Sequence, residues 1–380
     1  MTGTIEAPTV LVADDQADVV TALRLLLRDA GIATEPATST RDVIARLQTR
    51  PYDLLLMDLN YERDTTSGRE GLELLSQVRA HDELLPVVVM TGWSSVETAV
   101  EAMRRGARSY VCKPWSNAEL VALVRREIEA GSAMRHDHGH TIREMAQAQA
   151  VQRALLPDQL PEMASCDLAA RWEPASTFGG DCYDAVALDA SHLALSIGDV
   201  CGKGLPAALL MTHLQASVRA FASPRSLPEA VVASVNRALC RHGDLHRFVT
   251  LFYGVYDAGS RVLRFCNAGH NPPVLAHQDG SIERLETGGT IAGVFEEAAY
   301  EAGQVQLRPG DRLVLFTDGI TEAGSPDGAE FGDDRLVGAV QATKALDAAG
   351  VVDRVFADVG ALCGAPQDDA TVVVLSLPGA

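Results

Sequence analysis

Through its first third the chain alternates short, almost wholly apolar stretches with longer ones whose apolar residues recur every three to four positions. Stretches such as LLLM and VVVM have no polar face, as burial on both sides of a parallel sheet requires, whereas the recurrence between them is helical. The pattern predicts strands at Val10–Ala13, Leu54–Met57, Val87–Met90 and Ser109–Val111, with a weaker one at Ala33–Pro36. It predicts helices at Val19–Ala30, Arg41–Thr49, Gly71–Ala80, Val96–Arg105 and Asn117–Glu129. Strand and helix in strict alternation make an α/β doubly wound domain.

The pattern then changes. Gly131–His140 (GSAMRHDHGH) is small and polar and reads as a flexible break. Thr141–Leu156 resumes helical spacing, with Ile142, Met145, Gln149, Gln152 and Leu156 on one seam, ended by Pro157 and Pro161. Two readings of that seam stand side by side: a short, partly polar coiled coil, which would suit a homodimer, or a simple amphipathic connector. Beyond Cys166, strands are predicted at Tyr183–Leu188, Leu193–Asp199, Phe248–Tyr256, Val262–Ala268, Arg312–Thr317 and Thr371–Leu377, and helices at Leu205–Phe221, Pro228–His242 and Leu346–Leu362. Successive strands with few helices between them imply antiparallel sheets covered by helices, an α+β domain. The expected organisation is a domain over residues 1–128, a helical linker over 129–156 and a second domain over 157–380.

Composition narrows the function. At 380 residues, 47% hydrophobic, with a mean hydropathy of +0.05, the chain has enough apolar content for two full cores. A net charge of -19 disfavours nucleic acid and anionic membrane as partners, because both need clustered Lys and Arg. Cys112, Cys166, Cys182, Cys201, Cys240, Cys266 and Cys363 are scattered singly, which fits reduced thiols and not a disulfide framework or zinc site. No apolar run approaches a membrane span, and the N-terminus has no leader pattern, so a soluble cytoplasmic protein is expected.

Candidate chemistry lies first at the strand ends of the α/β domain, where such sheets bind ligands. Those ends carry Asp14, Asp15, Asp58, Thr91 and Lys113. Converging carboxylates repel one another unless a hard divalent cation such as Mg²⁺ sits among them, and Lys and Thr can hold a phosphoryl group. A lone Asp after a strand is usually a helix cap or turn, and a lone Lys is usually solvated surface; the full set in order is far more specific.

The segments VLVADDQ, LLLMDLN, VVVMTGW and SYVCKPW resemble the receiver domain of two-component response regulators over residues 8–128, which implies a flavodoxin-like fold. The resemblance implies Asp58 as phosphoacceptor from a histidine kinase, with Asp14, Asp15 and the Asn60 carbonyl around Mg²⁺. It also implies Thr91 and Lys113 on the phosphoryl oxygens and Tyr110 as the aromatic that reorients on activation. The loop YERDTTSGRE after Asn60 is longer than in many receivers, a departure that bears on kinase recognition and spares the acceptor.

The second domain repeats Asp beside Gly or a strand end: Asp181 and Asp184 in FGGDCYD, Asp199 in IGDVCGKG, Asp318 in LFTDGITEA, and Asp368 and Asp369 in QDDATVVV. Each alone is an ordinary turn. Together, carboxylates on several strand ends can assemble a two-metal site, and oxygen ligands without His or Cys suit Mn²⁺ or Mg²⁺.

RALLP, FGGDCYD, GDVCGKGLPAAL, NAGHNPP, LFTDGITEA and DDATVVV, in this order, resemble the SpoIIE branch of metal-dependent (PPM, protein phosphatase 2C-like) serine/threonine phosphatases over residues 150–378. That implies a sheet sandwich flanked by helices, with two Mn²⁺ or Mg²⁺ ions hydrolysing phosphoserine or phosphothreonine. Asp199 would bridge both ions, the Val200 carbonyl would hold one, and Asp318 and Asp368 would complete the pair. Asp181 would act through water or as a support, with Asp184 and Asp369 as secondary candidates. Arg171 is a candidate phosphate clamp by proximity alone. His270 offers a general acid, but Asn-Pro-Pro beside it favours a structural turn. Cys182 and Cys201 read as space-fillers, since no activating base accompanies them, and the histidines of HDHGH as a solvated stretch.

The resulting expectation is a response regulator whose receiver controls a protein phosphatase acting on a signalling phosphoprotein, such as an anti-sigma-factor antagonist. An adaptor on a degenerate phosphatase fold is the alternative. The presence of Asp199, Asp318 and Asp368 favours the enzyme, and the absence of a recognition-helix signature disfavours a DNA-binding regulator.

Overall fold

The computed structural model describes residues 7–61, 68–92, 96–241, 247–325, 328–363 and 367–379. The chain divides into two compact units, residues 1–144 and 145–380. Among the described residues, no helix is long and apolar enough to cross a membrane.

In the first unit, strands β1 (Thr9–Ala13), β2 (Ala33–Ala37), β3 (Leu54–Asp58), β4 (Val87–Gly92) and β5 (Ser109–Lys113) alternate with helices α1 (Ala17–Asp29), α2 (Thr40–Thr49), α3 (Arg69–His81), α4 (Val96–Arg104) and α5 (Asn117–Leu155), the last of which continues into the second unit from residue 145. The strands form one parallel sheet in the order β2-β1-β3-β4-β5. Neighbouring residues on a strand face opposite sides, which explains the unbroken apolar runs. Leu11, Leu55, Met57, Val87 and Val89 pack with Val43, Leu75 and Val78 of α2 and α3. Val10, Val12, Leu54, Leu56 and Val88 pack with Leu23 and Leu27 of α1 and Leu120 and Val124 of α5. At the start of α2, Ser39 accepts a hydrogen bond from the Asp42 amide at 3.2 Å, capping that helix.

One expectation is corrected. Gly131–His140 is no break: α5 runs through it without interruption for 39 residues. Gly131 marks a close approach, since a Cβ there would stand 2.3 Å from Pro86 Cγ. Arg135 further ties the helix down by donating to the Tyr52 carbonyl at 2.9 Å. These contacts offset the roughly 1 kcal/mol that each helical glycine costs.

In the second unit, strands β6 (Asp167–Glu173), β7 (Cys182–Ala187) and β8 (His192–Val200) precede helices α6 (Leu205–Phe221) and α7 (Pro228–Cys240). Strands β9 (Val249–Asp257), β10 (Val262–Ala268), β11 (Val274–Ala276), β12 (Ile282–Arg284), β13 (Gly288–Gly289), β14 (Gly303–Gln306) and β15 (Arg312–Phe316) follow. The unit closes with α8 (Asp318–Thr321), α9 (Gly332–Ala342), α10 (Ala348–Leu362) and β16 (Ala370–Ser376).

These strands build two sheets. One has the order β13-β10-β9-β8-β7, with β14 also pairing β10; the other is β12-β11-β15-β16-β6. Leu195 and Ile197 of the first share a core with Leu313, Leu315, Val373 and Leu375 of the second, together with Met211 and Leu214 of α6 and Val231 and Val235 of α7. The alternate residues of the second sheet, Val314, Phe316, Val372 and Val374, pack under α9 and α10 through Leu336, Val340, Val351 and Val355. The result is a sandwich flanked by helices. β6, β11 to β14, α8 and α9 lie outside the elements the pattern predicted: β6 (DLAARWE) is a half-buried edge strand, and strands of two to four residues are too short to show a period.

Candidate active site and receiver pocket

In the first unit the sheet order changes direction between β1 and β3, which opens a crevice at their carboxyl ends. Asp14 follows β1 and Asp58 ends β3; both are buried. One ligand oxygen each from Asp14, Asp15 and Asp58 lie within 4.8 Å of one another. Lys113 at the end of β5 reaches both buried carboxylates, its Nζ 2.7 Å from Asp14 Oδ2 and 2.8 Å from Asp58 Oδ2. Burial pushes the Asp58 carboxyl up, and the Lys113 hydrogen bond and charge offset only part of that. Burial by itself would lower Lys113, but its bonds to Asp14 and Asp58 outweigh this and hold it raised.

Thr91 is buried on β4, its hydroxyl 3.9 Å from Cys112 Sγ. The Asn60 backbone hydrogen-bonds the Asp58 carboxylate, and Tyr110 stands half-exposed on β5. Residues 62–67 of the YERDTTSGRE loop lie outside the described residues. An all-oxygen set of three carboxylates with a lysine across it fits a hard cation of the Mg²⁺ type.

In the second unit, carboxylates from both sheets meet at one end of the sandwich. Asp181 immediately precedes β7, Asp199 is the penultimate residue of β8, Asp318 opens α8 just after β15, and Asp368 and Asp369 immediately precede β16. Burial, then Asp318, Asp368 and Asp369, push the Asp199 carboxyl up to about 7. Burial and Asp368 raise Asp318 in the same way. Asp181 is fully enclosed and raised well above the carboxylate range, first by burial and then by Asp199. Such upward shifts are what close, unneutralised carboxylates produce. These carboxylates are spread more widely than the receiver trio, which among the described residues is the set of three within 4.8 Å.

Backbone geometry keeps the site open. A Cβ on Gly180 would lie 2.9 Å from the Val200 carbonyl and 3.4 Å from Asp199 Oδ1, and one on Gly319 would lie 2.0 Å from the Asp369 carbonyl. Only glycine permits these approaches. The oxygen-only donor set and the raised carboxyls fit oxygen-preferring divalent ions.

Several residues take other places than the sequence suggested. Asp184 is paired with a cation: Arg219 of α6 donates to its Oδ2 at 2.5 Å and its Oδ1 at 3.1 Å. Asp369 spends both oxygens on backbone, accepting from Ala175 at 2.8 Å and Gly180 at 2.5 Å. Arg171 is not a phosphate clamp. It pairs with Asp353 and lies over the Phe356 ring, both on α10, because its position on β6 faces that helix. His270 is a buried structural residue whose Nε2 donates to the Phe316 carbonyl at 3.1 Å while Nδ1 stands 2.8 Å from Thr250 Oγ1; burial lowers it to about 4. Burial, then Asp181, raises the Cys182 thiol, so no thiolate forms there.

Three further participants have no distinct signal in the sequence. Thr317 and Thr371 both donate to Asp181 Oδ2, at 2.7 and 2.6 Å, and hold that buried carboxyl in place. Lys203 reaches Asp368 Oδ2 at 3.0 Å. All three sit inside or beside quoted motifs (FTDG, DDAT and GKG), but a hydroxyl or ammonium carries no sign of its partner in sequence.

The response regulator receiver domain profile matches residues 10–125, and the profile of Stage II sporulation protein E (SpoIIE) matches residues 189–378. Protein IcfG of Synechocystis sp. is 30% identical over 221 residues, covering 51% of this chain and 35% of that protein. Phosphoserine phosphatase RsbU of Bacillus subtilis is 30% identical over 211 residues, covering 53% of this chain and 63% of that protein. The chain thus spans between about a third and two thirds of the length of these relatives. The SiaA-PP2C domain of Pseudomonas aeruginosa superposes with a TM-score of 0.56 at 22% identity, over 63% of this chain and 98% of its own, a likeness of fold. The RsbU and RsbW domains of Rv1364c from Mycobacterium tuberculosis superpose with a TM-score of 0.50 at 25% identity, over 58% of this chain and 63% of their own. A parallel receiver sheet with its acidic crevice, followed by a sandwich whose two sheets bring Asp199, Asp318 and Asp368 together, places this chain in the SpoIIE family, with a response regulator receiver domain at its N-terminal side.

Proposed function

We propose that the second unit is a Mn²⁺- or Mg²⁺-dependent protein serine/threonine phosphatase and that the receiver, phosphorylated on Asp58 by a histidine kinase, controls it. The observation that carries the reading is the convergence of Asp199, Asp318 and Asp368 from two different sheets, with Asp199 raised to about 7 by its neighbours. Divalent ions bound there supply an activated water and neutralise charge as phosphate is displaced. Asp199, the Val200 carbonyl, Asp318 and Asp368 would hold the ions. Asp181 is pinned by Thr317 and Thr371 beside Asp199, and Asp369 fixes the Gly180 amide.

In the receiver, an Asp58 oxygen attacks the phosphohistidine phosphorus, the P–N bond breaks and the imidazole leaves. Lys113 and Thr91 would then balance the charge on the transferred group, and Asp14, Asp15 and the Asn60 carbonyl would hold Mg²⁺. The relative named phosphoserine phosphatase RsbU supports a phosphoprotein substrate, for which an anti-sigma-factor antagonist is the class proposed. Ile142 and Met145 stand exposed along α5, which supports pairing of two copies through that helix. The reading places the protein in the cytoplasm.

The test is phosphate release from an aryl phosphate by the full chain with Mn²⁺, with chelator, and in the Asp199→Ala variant. Metal-dependent turnover abolished in the variant is expected. Equal turnover in variant and wild type would remove Asp199 from the chemistry.

A further inference from the structure

The last turn of α5 is joined to the candidate metal site through one side chain. Gln152 is 4% exposed, far below what is usual for a glutamine on a connecting helix. Its Nε2 donates to the Gly179 carbonyl at 2.6 Å, and the Gly179 amide donates back to Oε1 at 3.3 Å. Both ends of one amide therefore grip both backbone groups of one residue.

That residue opens the metal loop. The next amide, Gly180, is bonded to Asp369, and the Gly180 Cα stands against Val200 and Asp199 closely enough that no Cβ fits. Asp181 follows. Gly179 has no slack of its own, because a Cβ there would lie 2.6 Å from Trp172 Cζ2 and 3.1 Å from Asp369 Oδ2. The loop is thus held by Trp172 and Asp369 on one side and by Gln152 on the other.

The end of α5 is fixed at two further points. Gln215 of α6 donates to the Leu155 carbonyl at 2.7 Å, and Leu156 is buried in the sandwich core. Upstream, Ile142, Met145 and Val151 are exposed. A rotation or translation of α5 must therefore either carry Gly179 with it or break two buried hydrogen bonds, and leaving buried polar groups unpaired is costly.

We propose that Gln152 is a positioning residue that sets the Gly179–Asp181 loop against Asp199, so that the state of α5 is read out as the geometry of the metal site. This rests on the phosphatase reading for its functional consequence, but its structural content does not depend on turnover.

The full chain tests it in three variants: Gln152→Leu, which keeps the bulk and loses both bonds; Gln152→Glu, which keeps the acceptor and loses the donor; and Asp58→Ala. Mn²⁺ affinity is measured by calorimetry without substrate, amide exchange is followed at Gly179 and Gly180, and kcat and KM are measured with and without beryllofluoride. The expected result is Mn²⁺ affinity about tenfold weaker and faster exchange at the two glycines in both Gln152 variants, with exchange elsewhere unchanged. kcat should fall while KM stays near wild type, and the response to beryllofluoride should vanish. A folded Gln152→Leu variant with wild-type Mn²⁺ affinity and an intact beryllofluoride response overturns the proposal. Should that variant not fold, wild type decides: beryllofluoride must change exchange at Gly179 and Gly180, and must not do so in Asp58→Ala. Unchanged exchange in wild type overturns the proposal. If wild type binds Mn²⁺ but hydrolyses no phosphate ester, the phosphatase reading fails, while the affinity and exchange results still judge Gln152.

Discussion

Lys203 Nζ stands 3.0 Å from Asp368 Oδ2 and 3.1 Å from the Gln367 carbonyl, so an ammonium group lies where the proposed site would receive a cation. The Lys203 side chain is 63% exposed, and pairs of that kind contribute at most about 1 kcal/mol. A divalent ion that takes Asp368 must displace this bond and approach a like charge. Lys203→Ala is therefore expected to tighten Mn²⁺ binding by about two- to fivefold in calorimetry. Equal or weaker binding would show that the lysine does not compete for Asp368.

The raised Asp199 carboxyl predicts how metal and pH act together. Its ordinary value is 3.8, and in the fold it stands at about 7 because of burial and then Asp318 and Asp368. A carboxyl raised on folding adds stability that is complete below its unfolded value and is lost as pH rises through the folded one. Metal-free protein should therefore lose stability from this group between about pH 4 and 7. Bound ions remove the repulsion, so the gain in melting temperature with Mn²⁺ should be larger at pH 8 than at pH 6. Mn²⁺ binding at pH 6 should also release protons. A metal-induced gain that shrinks as pH rises would count against this assignment.

In the receiver, Lys113 neutralises two buried carboxylates at once, Asp14 and Asp58. Removing one partner of a buried pair leaves uncompensated charge. Lys113→Ala is expected to destabilise the receiver by about 2–3 kcal/mol in urea unfolding without Mg²⁺, below the fully buried range because the lysine is partly exposed. Mg²⁺ should narrow the deficit by supplying the missing positive charge. A deficit that Mg²⁺ leaves untouched would argue that the ion does not enter among Asp14, Asp15 and Asp58.

Legibility in the sequence followed physical cause. Strands β1, β3 and β4 were readable because burial on both faces demands unbroken apolar runs, and the strand ends then placed Asp14, Asp58 and Thr91 without further help. In the second unit, Asp199 and Asp318 were readable because glycine beside a carboxylate at a strand end marks close backbone approach. The contacts that organise the site were not. Thr317 and Thr371 meet at Asp181 only because β15 and β16 are neighbours, and that pairing has no local signature. Arg171 was misplaced because sequence proximity to FGGD says nothing about which face of β6 it occupies. Gln152 falls on a helical seam in the sequence, whereas its two partner groups lie 27 residues away.

The misread segment of α5 contains two glycines whose surroundings predict opposite effects of one substitution. Gly139 has nothing within 4 Å of the place its Cβ would occupy, so alanine there adds only helix propensity. Gly139→Ala should stabilise by about 0.5–1 kcal/mol. At Gly131 the same methyl would meet Pro86 Cγ at 2.3 Å and Cδ at 3.0 Å, and a proline ring cannot swing aside as a flexible side chain would. Gly131→Ala should therefore force the helix outward and destabilise by about 1–3 kcal/mol, the usual cost of overpacking. Urea unfolding of the two variants beside wild type separates the cases. Were residues 131–140 a mobile break, neither alanine would meet a fixed neighbour and the two shifts would share a sign. Shifts of opposite sign are the expectation for one helix packed at Gly131 and open at Gly139.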